Sequence, residues 1–163
     1  MPTNPTILAI DPIIMGRSVE FFVPLEVKAK QSMRTRVVVP KDGGKPFTQN
    51  HKDPEVVKNE NNLAALMVPN LPDAPLVGPL FVRYCFESHY RRNEKRKLVN
   101  NAVTLPKHTK PDYTNLAKNL DDVLEALGFF ANDAQIATAL IEKRWTFRVG
   151  VQVFIGELDP DRK

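Results

Sequence analysis

The segment from Thr114 to Leu127 constrains the fold most narrowly, because its apolar residues recur with the period of an α-helix. Five of them share one face at 3.6-residue spacing: Leu116, Leu120, Val123, Leu124 and Leu127. Gly128 follows directly and suits the left-handed conformation that ends many helices. A helix with one apolar face must bury that face, so a sheet or another helix has to pack against it.

The remaining patterns predict an α+β fold, with a mixed, mainly antiparallel sheet packed with two main helices. Asp53 suits an N-cap and Pro54 a first helical position, so a second helix is expected to run to about Met67. Strands are expected at 18–28 with a bend at Pro24, 36–40, 76–87, 133–143 and 149–157. We expect 76–87 to be central and the last two strands to pair with each other.

Length and composition fit one folded domain. The 163 residues are 42% hydrophobic and 26% charged, which is ordinary globular usage. We expect an arm at 1–17, a domain at 18–157 and a tail at 158–163. The chain has no apolar stretch long enough to cross a bilayer and no positive leader before its N-terminal apolar residues, so a cytoplasmic protein without membrane partners is expected. Cys85 is the only cysteine, which excludes an intrachain disulfide and a cysteine-cluster metal site.

A basic stretch comes directly before an acidic one. The formal net charge of +4 permits a polyanionic partner without requiring it. Between His89 and Lys110 the only acid is Glu94, and the bases are Arg91, Arg92, Lys95, Arg96, Lys97, Lys107 and Lys110. The acids that follow are Asp112, Asp121, Asp122, Glu125 and Asp133. Bases neutralise phosphates and carboxylates hold divalent cations, so this order is typical of a metal-dependent nuclease.

Two of these acids flank the predicted helix. Asp112 lies just before its N-terminus, and Asp133 lies in the turn after it. A strand packed beside the helix could bring Asp133 back to Asp112. Two carboxylates, phosphate oxygens and water are suitable ligands for Mg²⁺, which phosphodiester hydrolysis needs to orient water and to stabilise charge.

A polar stripe of the same helix lies away from the leucine face. Asn115, Lys118 and Asp122 are spaced i, i+3 and i+7, and a lysine there can add positive charge as a transition state develops. Simpler interpretations stay open. Lys118 can pair with Asp122 on a wet surface, Asn115 and Asp112 can serve only as helix caps, and Asp121 and Asp122 are commonly surface acids.

Segment 110–136 resembles the RusA family of Holliday-junction resolvases, especially its phage-encoded branch. The family has an aspartate-rich run ending in lysine, then an Asp-x-Leu helix, a short turn and an Asp-Asp pair before a strand. Here the matching residues are Asp112 to Lys118, then Asp122-Val123-Leu124, then Asn132-Asp133. A weaker similarity is PLEVKAKQSMRTR at 24–36. The resemblance spans about residues 20–157, but only 110–136 is specific.

The resemblance implies a homodimer, bacterial or phage-encoded and associated with the nucleoid, that makes paired cuts in four-way DNA junctions with Mg²⁺ or Mn²⁺. Asp112, Lys118 and Asp133 would be catalytic, and the metal would be held by Asp112 and Asp133, with Asp122 and Thr114 as further ligands. The expected DNA contacts are Lys28, Lys30, Arg34, Arg36, Arg91, Arg92, Lys95, Arg96, Lys97 and Asn115.

The sequence departs from the family pattern at two positions. Thr114 stands where the family has its second aspartate, and Asn132 where the Asp-Asp pair begins. A hydroxyl holds a cation more weakly than a carboxylate. One alternative is therefore a DNA-binding protein on the same fold without catalysis. Another is a structural protein whose basic loop only aids solubility, which predicts no salt-sensitive DNA binding.

Overall fold

The chain alternates strands and helices in an α+β arrangement, as predicted. The computed structural model describes residues 14–29, 34–51, 53–90 and 104–158. Its elements in chain order are β1 (Ile14–Val23), β2 (Arg34–Val38), β3 (Phe47–His51), α1 (Pro54–Met67), β4 (Leu80–His89), β5 (Leu105–Pro106), α2 (Tyr113–Leu127), β6 (Ile136–Thr146) and β7 (Gly150–Leu158).

The main sheet has five strands in the order β1-β7-β4-β6-β5. Strand β4 pairs in parallel with β6, and the other neighbours pair antiparallel. The predicted mixed, mainly antiparallel sheet and the central position of the 76–87 strand are therefore confirmed. Strands β2 and β3 form a separate antiparallel pair.

The predicted pairing of 133–143 with 149–157 is wrong, because β4 lies between β6 and β7. The connection from Thr146 to Gly150 is short, which is typical of a hairpin. Here it crosses the end of β4 and spans two strand spacings, roughly 10 Å, which three extended residues can cover. The length of this connection therefore permits either a hairpin or a crossover, and the pairing of β4 with both β6 and β7 decides between them.

Gly150, at the end of this crossover, has to be glycine. Its φ is +155°, and a Cβ there would lie 2.3 Å from the Val23 carbonyl oxygen and 2.5 Å from the Phe22 ring. Any larger side chain would push β7 away from β1 at the point where their pairing begins.

Several strand boundaries differ from the sequence predictions; β4, for example, begins at Leu80 rather than at residue 76. Strand β1 begins at Ile14 rather than at residue 18. It ends at Val23 rather than at residue 28, because Pro24 has no N–H for a ladder hydrogen bond. Strand β2 begins at Arg34 rather than residue 36. Strand β6 begins at Ile136, after a short 3-10 turn over Asp133–Gln135.

Both predicted helices are confirmed with their caps. The Asp53 carboxylate accepts a hydrogen bond from the Glu55 N–H at 2.9 Å, and Pro54 opens α1. Helix α2 ends at Leu127, where Gly128 adopts a φ of +86°. In the part of the chain that the structure describes, neither helix has the length and apolarity needed to cross a membrane.

Both helices pack on one face of the five-stranded sheet. The apolar side of α2 is buried there together with Leu63 and Met67 of α1. These side chains meet alternate residues of β4 and β7, namely Leu80, Val82, Tyr84, Phe86, Val151, Val153 and Ile155. Cys85 is buried too, and burial raises the pKa of its thiol to about 11, so it stays protonated.

An ion pair fixes the connection between α1 and β4 to the sheet edge. The Arg17 guanidinium lies 2.7 Å from the Glu157 carboxylate and also donates to the Pro75 carbonyl at 2.9 Å. The Val77 N–H donates to Glu157 at 2.9 Å. Burial alone would raise the pKa of Glu157, but the Val77 and Arg17 donors outweigh it and lower that pKa.

We predict that Glu157→Gln lowers the free energy of unfolding at pH 7 by about 1–2 kcal/mol, because it weakens charge-assisted hydrogen bonds. A carboxylate with a lowered pKa stabilises the fold above its unfolded pKa and stops doing so as the pH falls through its folded pKa. The difference from wild type should therefore shrink below about pH 4 in urea denaturation. Glu20→Gln, which breaks the more exposed pair with Arg83, is the control and should cost less than about 0.5 kcal/mol. Equal effects of the two substitutions would contradict this interpretation.

Candidate functional site

The two acids expected to share a cation lie at opposite ends of α2. Asp112 is the N-cap residue, exposed, and its carboxylate makes no capping hydrogen bond. Asp133 is also exposed, and its N–H donates to the Glu125 carboxylate at 3.0 Å, in the last turn of the helix. A helix rises about 1.5 Å per residue, so positions 112 and 125 are separated by roughly 20 Å along the axis.

Strand β6 gives an independent measure of this separation. The Lys143 ammonium donates to the carbonyls of Thr109 and Pro111, both at 2.7 Å, which places Lys143 beside the start of α2. Strand β6 begins at Ile136, close to Asp133, and about 3.3 Å per residue puts Lys143 roughly 23 Å further on. The strand thus brings Lys143, not Asp133, back to Asp112.

Within one chain, the expected convergence of Asp112 and Asp133 therefore does not occur. Across residues 14–29, 34–51, 53–90 and 104–158, no three or more histidine, cysteine, aspartate or glutamate residues form a group that could hold a metal ion. The assignment of metal binding to Asp112, Asp133, Asp122 and Thr114 stays a prediction. If it holds, the ligands must come from more than one chain.

The polar stripe of α2 is accessible, as predicted. Thr114, Asn115 and Lys118 are exposed, and the Lys118 ammonium lies 4.0 Å from the Asp122 carboxylate. That distance fits the simple i, i+4 ion pair between Lys118 and Asp122, which the sequence also permits. Such an exposed pair is worth little, about 0–1 kcal/mol, so Lys118 stays available to an incoming phosphate.

Asp121 is not the surface acid that the sequence suggested. It is half-buried, and the Tyr84 hydroxyl on β4 donates to its carboxylate at 2.7 Å. Burial raises the pKa of Asp121 to about 6; the Tyr84 hydrogen bond and the Lys118 charge oppose this, and the charges of Asp133 and Asp122 add to it.

The helical spacing of Asp121 could have revealed this, since it stands four residues after buried Ala117 and three before buried Leu124. Lys143 was also missed. In β6 it alternates in phase with Ile141 and buried Trp145, on the helix-facing side of the sheet, and strand alternation alone gives that signal.

Lys28 lies in a segment that both helices hold in place. The Asn59 side chain accepts from the Lys28 N–H at 2.9 Å and donates to the Glu26 carbonyl at 2.9 Å. Buried Asn119 of α2 donates to the Lys28 carbonyl at 2.8 Å. The Lys28 ammonium pairs with exposed Glu55, so it points to solvent from a fixed backbone.

The structure bears less on the other predicted DNA contacts. Lys30 and the run Arg91, Arg92, Lys95, Arg96 and Lys97 lie outside the described residues. Arg34 and Arg36 lie on β2, of which the structure describes the backbone at these two positions. Their roles stay predictions.

Asn132, which stands where the family pattern has an aspartate, is the N-cap of the 3-10 turn Asp133–Gln135. Its side chain accepts from the Ala134 N–H at 2.8 Å, and the Gln135 side-chain oxygen accepts from the Asn132 N–H at 3.2 Å. Asparagine and aspartate cap equally well, so this position keeps its local structural role without a negative charge.

We predict that Asp121→Asn stabilises the protein by about 1–2 kcal/mol at pH 7.5, because it keeps an acceptor for Tyr84 and removes a half-buried charge. A carboxyl with a raised pKa favours folding in its protonated form, so wild-type stability should fall as pH rises from about 4 through about 6. The gain in the variant should vanish near pH 4 in denaturant titrations. Asp73→Asn, at an exposed acid outside α2, is the control and should give no gain; a matching gain would argue against burial as the cause.

Comparison with known proteins adds to this geometry. No curated protein matches the chain. A protein-family model described as endodeoxyribonuclease RusA matches residues 24–156, which is most of the 163-residue chain. The match spans β2 to β6 entirely and includes both helices and the acids at the two ends of α2. The chain belongs to the RusA endodeoxyribonuclease family, whose members act on branched DNA junctions.

Proposed function

We propose that this protein resolves four-way DNA junctions by Mg²⁺-dependent phosphodiester hydrolysis, acting as a homodimer, with Mn²⁺ as a possible substitute. The observation that carries the proposal is the placement of exposed Asp112 and Asp133 at opposite ends of α2. Family membership supports nuclease activity on branched DNA, and this placement indicates how a site could be assembled.

A two-fold axis offers the simplest assembly. If two α2 helices lie antiparallel, Asp112 of one protomer meets Asp133 of the partner subunit, and the reverse pair forms at the other end. Such an isologous arrangement creates two equal sites. Separate sites about one α2 length apart suit paired cuts in two strands of a near-symmetric junction.

The available side chains fit a magnesium ion. Asp112 and Asp133 offer exposed carboxylates, and the Thr114 hydroxyl lies two residues from Asp112. These are hard oxygen donors, which Mg²⁺ prefers together with water and phosphate oxygens. When bound there, the ion would supply positive charge to the scissile phosphate and its leaving oxygen. Asp122, on the same helix, is a further candidate ligand.

The basic residues would bind and orient the DNA. Lys118 is exposed, and its weak pair with Asp122 can give way to a phosphate oxygen, where it would stabilise added negative charge. Lys28 projects from a backbone fixed by Asn59 and Asn119, which limits the entropy lost when it contacts a phosphate. The remaining basic candidates would extend this surface.

The departures at Thr114 and Asn132 favour one alternative, a junction-binding protein without catalysis. Each replaces a charged carboxylate of the family pattern with a neutral group, which weakens cation binding. Salt-sensitive junction binding without cleavage at millimolar Mg²⁺ or Mn²⁺ would support this alternative over hydrolysis.

A mixing experiment tests the shared site. Asp112→Asn and Asp133→Asn should each reduce cleavage of a synthetic four-way junction by at least about a hundredfold, since each removes a charged ligand. After the two variants are unfolded and refolded together, each heterodimer should carry one intact site and one doubly substituted site. We expect restored nicking of one strand per junction, up to about a quarter of the wild-type rate, on a denaturing gel.

The control mixture combines Asp112→Asn with the double variant Asp112→Asn/Asp133→Asn, which should stay inactive because no intact pair can form. A site built within one chain predicts no recovery in either mixture. That result would refute the shared site, and a wild-type protein that binds junctions without cutting them would refute hydrolysis itself.

A further inference from the structure

Lys143 joins two parts of the chain that the sequence places far apart. It lies on β6, half-buried on the helix-facing side of the sheet, opposite Phe86 of β4. Its ammonium donates to the carbonyls of Thr109 and Pro111, both at 2.7 Å. Its own carbonyl accepts from the Lys107 N–H at 2.8 Å. One residue therefore holds the loop before α2 at three points.

These contacts surround the approach to Asp112. Pro111 directly precedes Asp112, and the Asp112 carbonyl accepts the Leu116 N–H at 3.2 Å, in the first turn of α2. Because the Asp112 carboxylate makes no capping hydrogen bond, its direction depends on the backbone that carries it. That backbone is attached to the sheet through Lys143.

The Lys143 ammonium contacts neutral carbonyl groups. An ammonium has three donors, and here two of them meet neutral carbonyls. Charge-assisted hydrogen bonds of this kind are stronger than neutral ones and direct the acceptors more tightly.

We infer that Lys143 is a positioning residue, which fixes the Thr109–Pro111 loop so that the Asp112 carboxylate is held ready for a cation. The inference rests on the proposed role of Asp112 in metal binding. Lys143 acts through the loop and does not contact the DNA. Removing its donors leaves two carbonyls without their partner and lets the loop and the first turn of α2 open locally.

Hydrogen exchange tests the structural half of the inference without relying on activity. Lys143→Met keeps most of the apolar stem and removes the donors. Its amides from residue 107 to 116 should exchange at least about tenfold faster than in wild type, while those of β4 and β7 keep their rates. Arg144→Met is the matched control, since it removes a positive charge from the next residue, which faces the other side of the sheet. It should leave the 107–116 amides unchanged.

Cleavage tests the functional half on the same full-length proteins. For Lys143→Met we expect the Mg²⁺ concentration at half-maximal junction cleavage to rise at least about tenfold. The Kd for the junction without cleavage, measured in Ca²⁺, should change by less than about threefold. Lys143→Arg keeps several donors and should recover most of the Mg²⁺ dependence.

Several outcomes would overturn the inference. These are unchanged exchange at 107–116, a uniform rise across the protein, or a loss of junction affinity that parallels the loss of cleavage. If Lys143→Met does not fold, Lys143→Gln replaces it under the same criteria. If the wild type never cleaves, the proposed function fails, while the exchange result still decides whether Lys143 fixes the loop.

Discussion

The packing of α2 along the sheet is the constraint on which the rest of the structure depends. The apolar face of the helix is buried against β4 and β7, which fixes its rotation and leaves Lys118 and Asn115 in solvent. Polar contacts fix its ends. Lys143 holds the approach to its N-terminus, and Glu125 holds Asp133 near its C-terminus. Because a helix is stiff, Asp112 and the contact of Asp133 with Glu125 are kept apart by most of its length.

That separation changes how the acidic residues should be interpreted. Asp112 is remote from the other acids, whereas Asp121, Asp122 and Asp133 lie near enough for the last two charges to raise the pKa of Asp121. A cation near Asp133 would relieve this repulsion, and a partner's Asp112 would complete its ligands. Under the proposed function, the dimer rather than the single chain would be the smallest unit able to hydrolyse DNA.

Some predictions followed directly from local rules. The caps at Asp53 and Gly128, the buried leucine face and the central strand β4 were all predicted correctly, because each depends on residues close in sequence. Other predictions failed where a local sequence pattern is compatible with two different structures. A three-residue connection suits a hairpin or a short crossover, and only the pairing of β4 with both β6 and β7 selects the crossover. Asp121 and Lys143 were missed because their partners, Tyr84 and the Thr109 and Pro111 carbonyls, lie over 30 residues away.

The sequence by itself determined the α+β class, the limits of both helices and the polar stripe of α2, since periodicity and capping are properties of neighbouring residues. It also identified the acids and bases that nuclease chemistry would need. Only the tertiary structure decided where those acids lie relative to one another. Spacing along a chain does not state which end of a strand meets which end of a helix, and here β6 returns Lys143, not Asp133, to the start of α2.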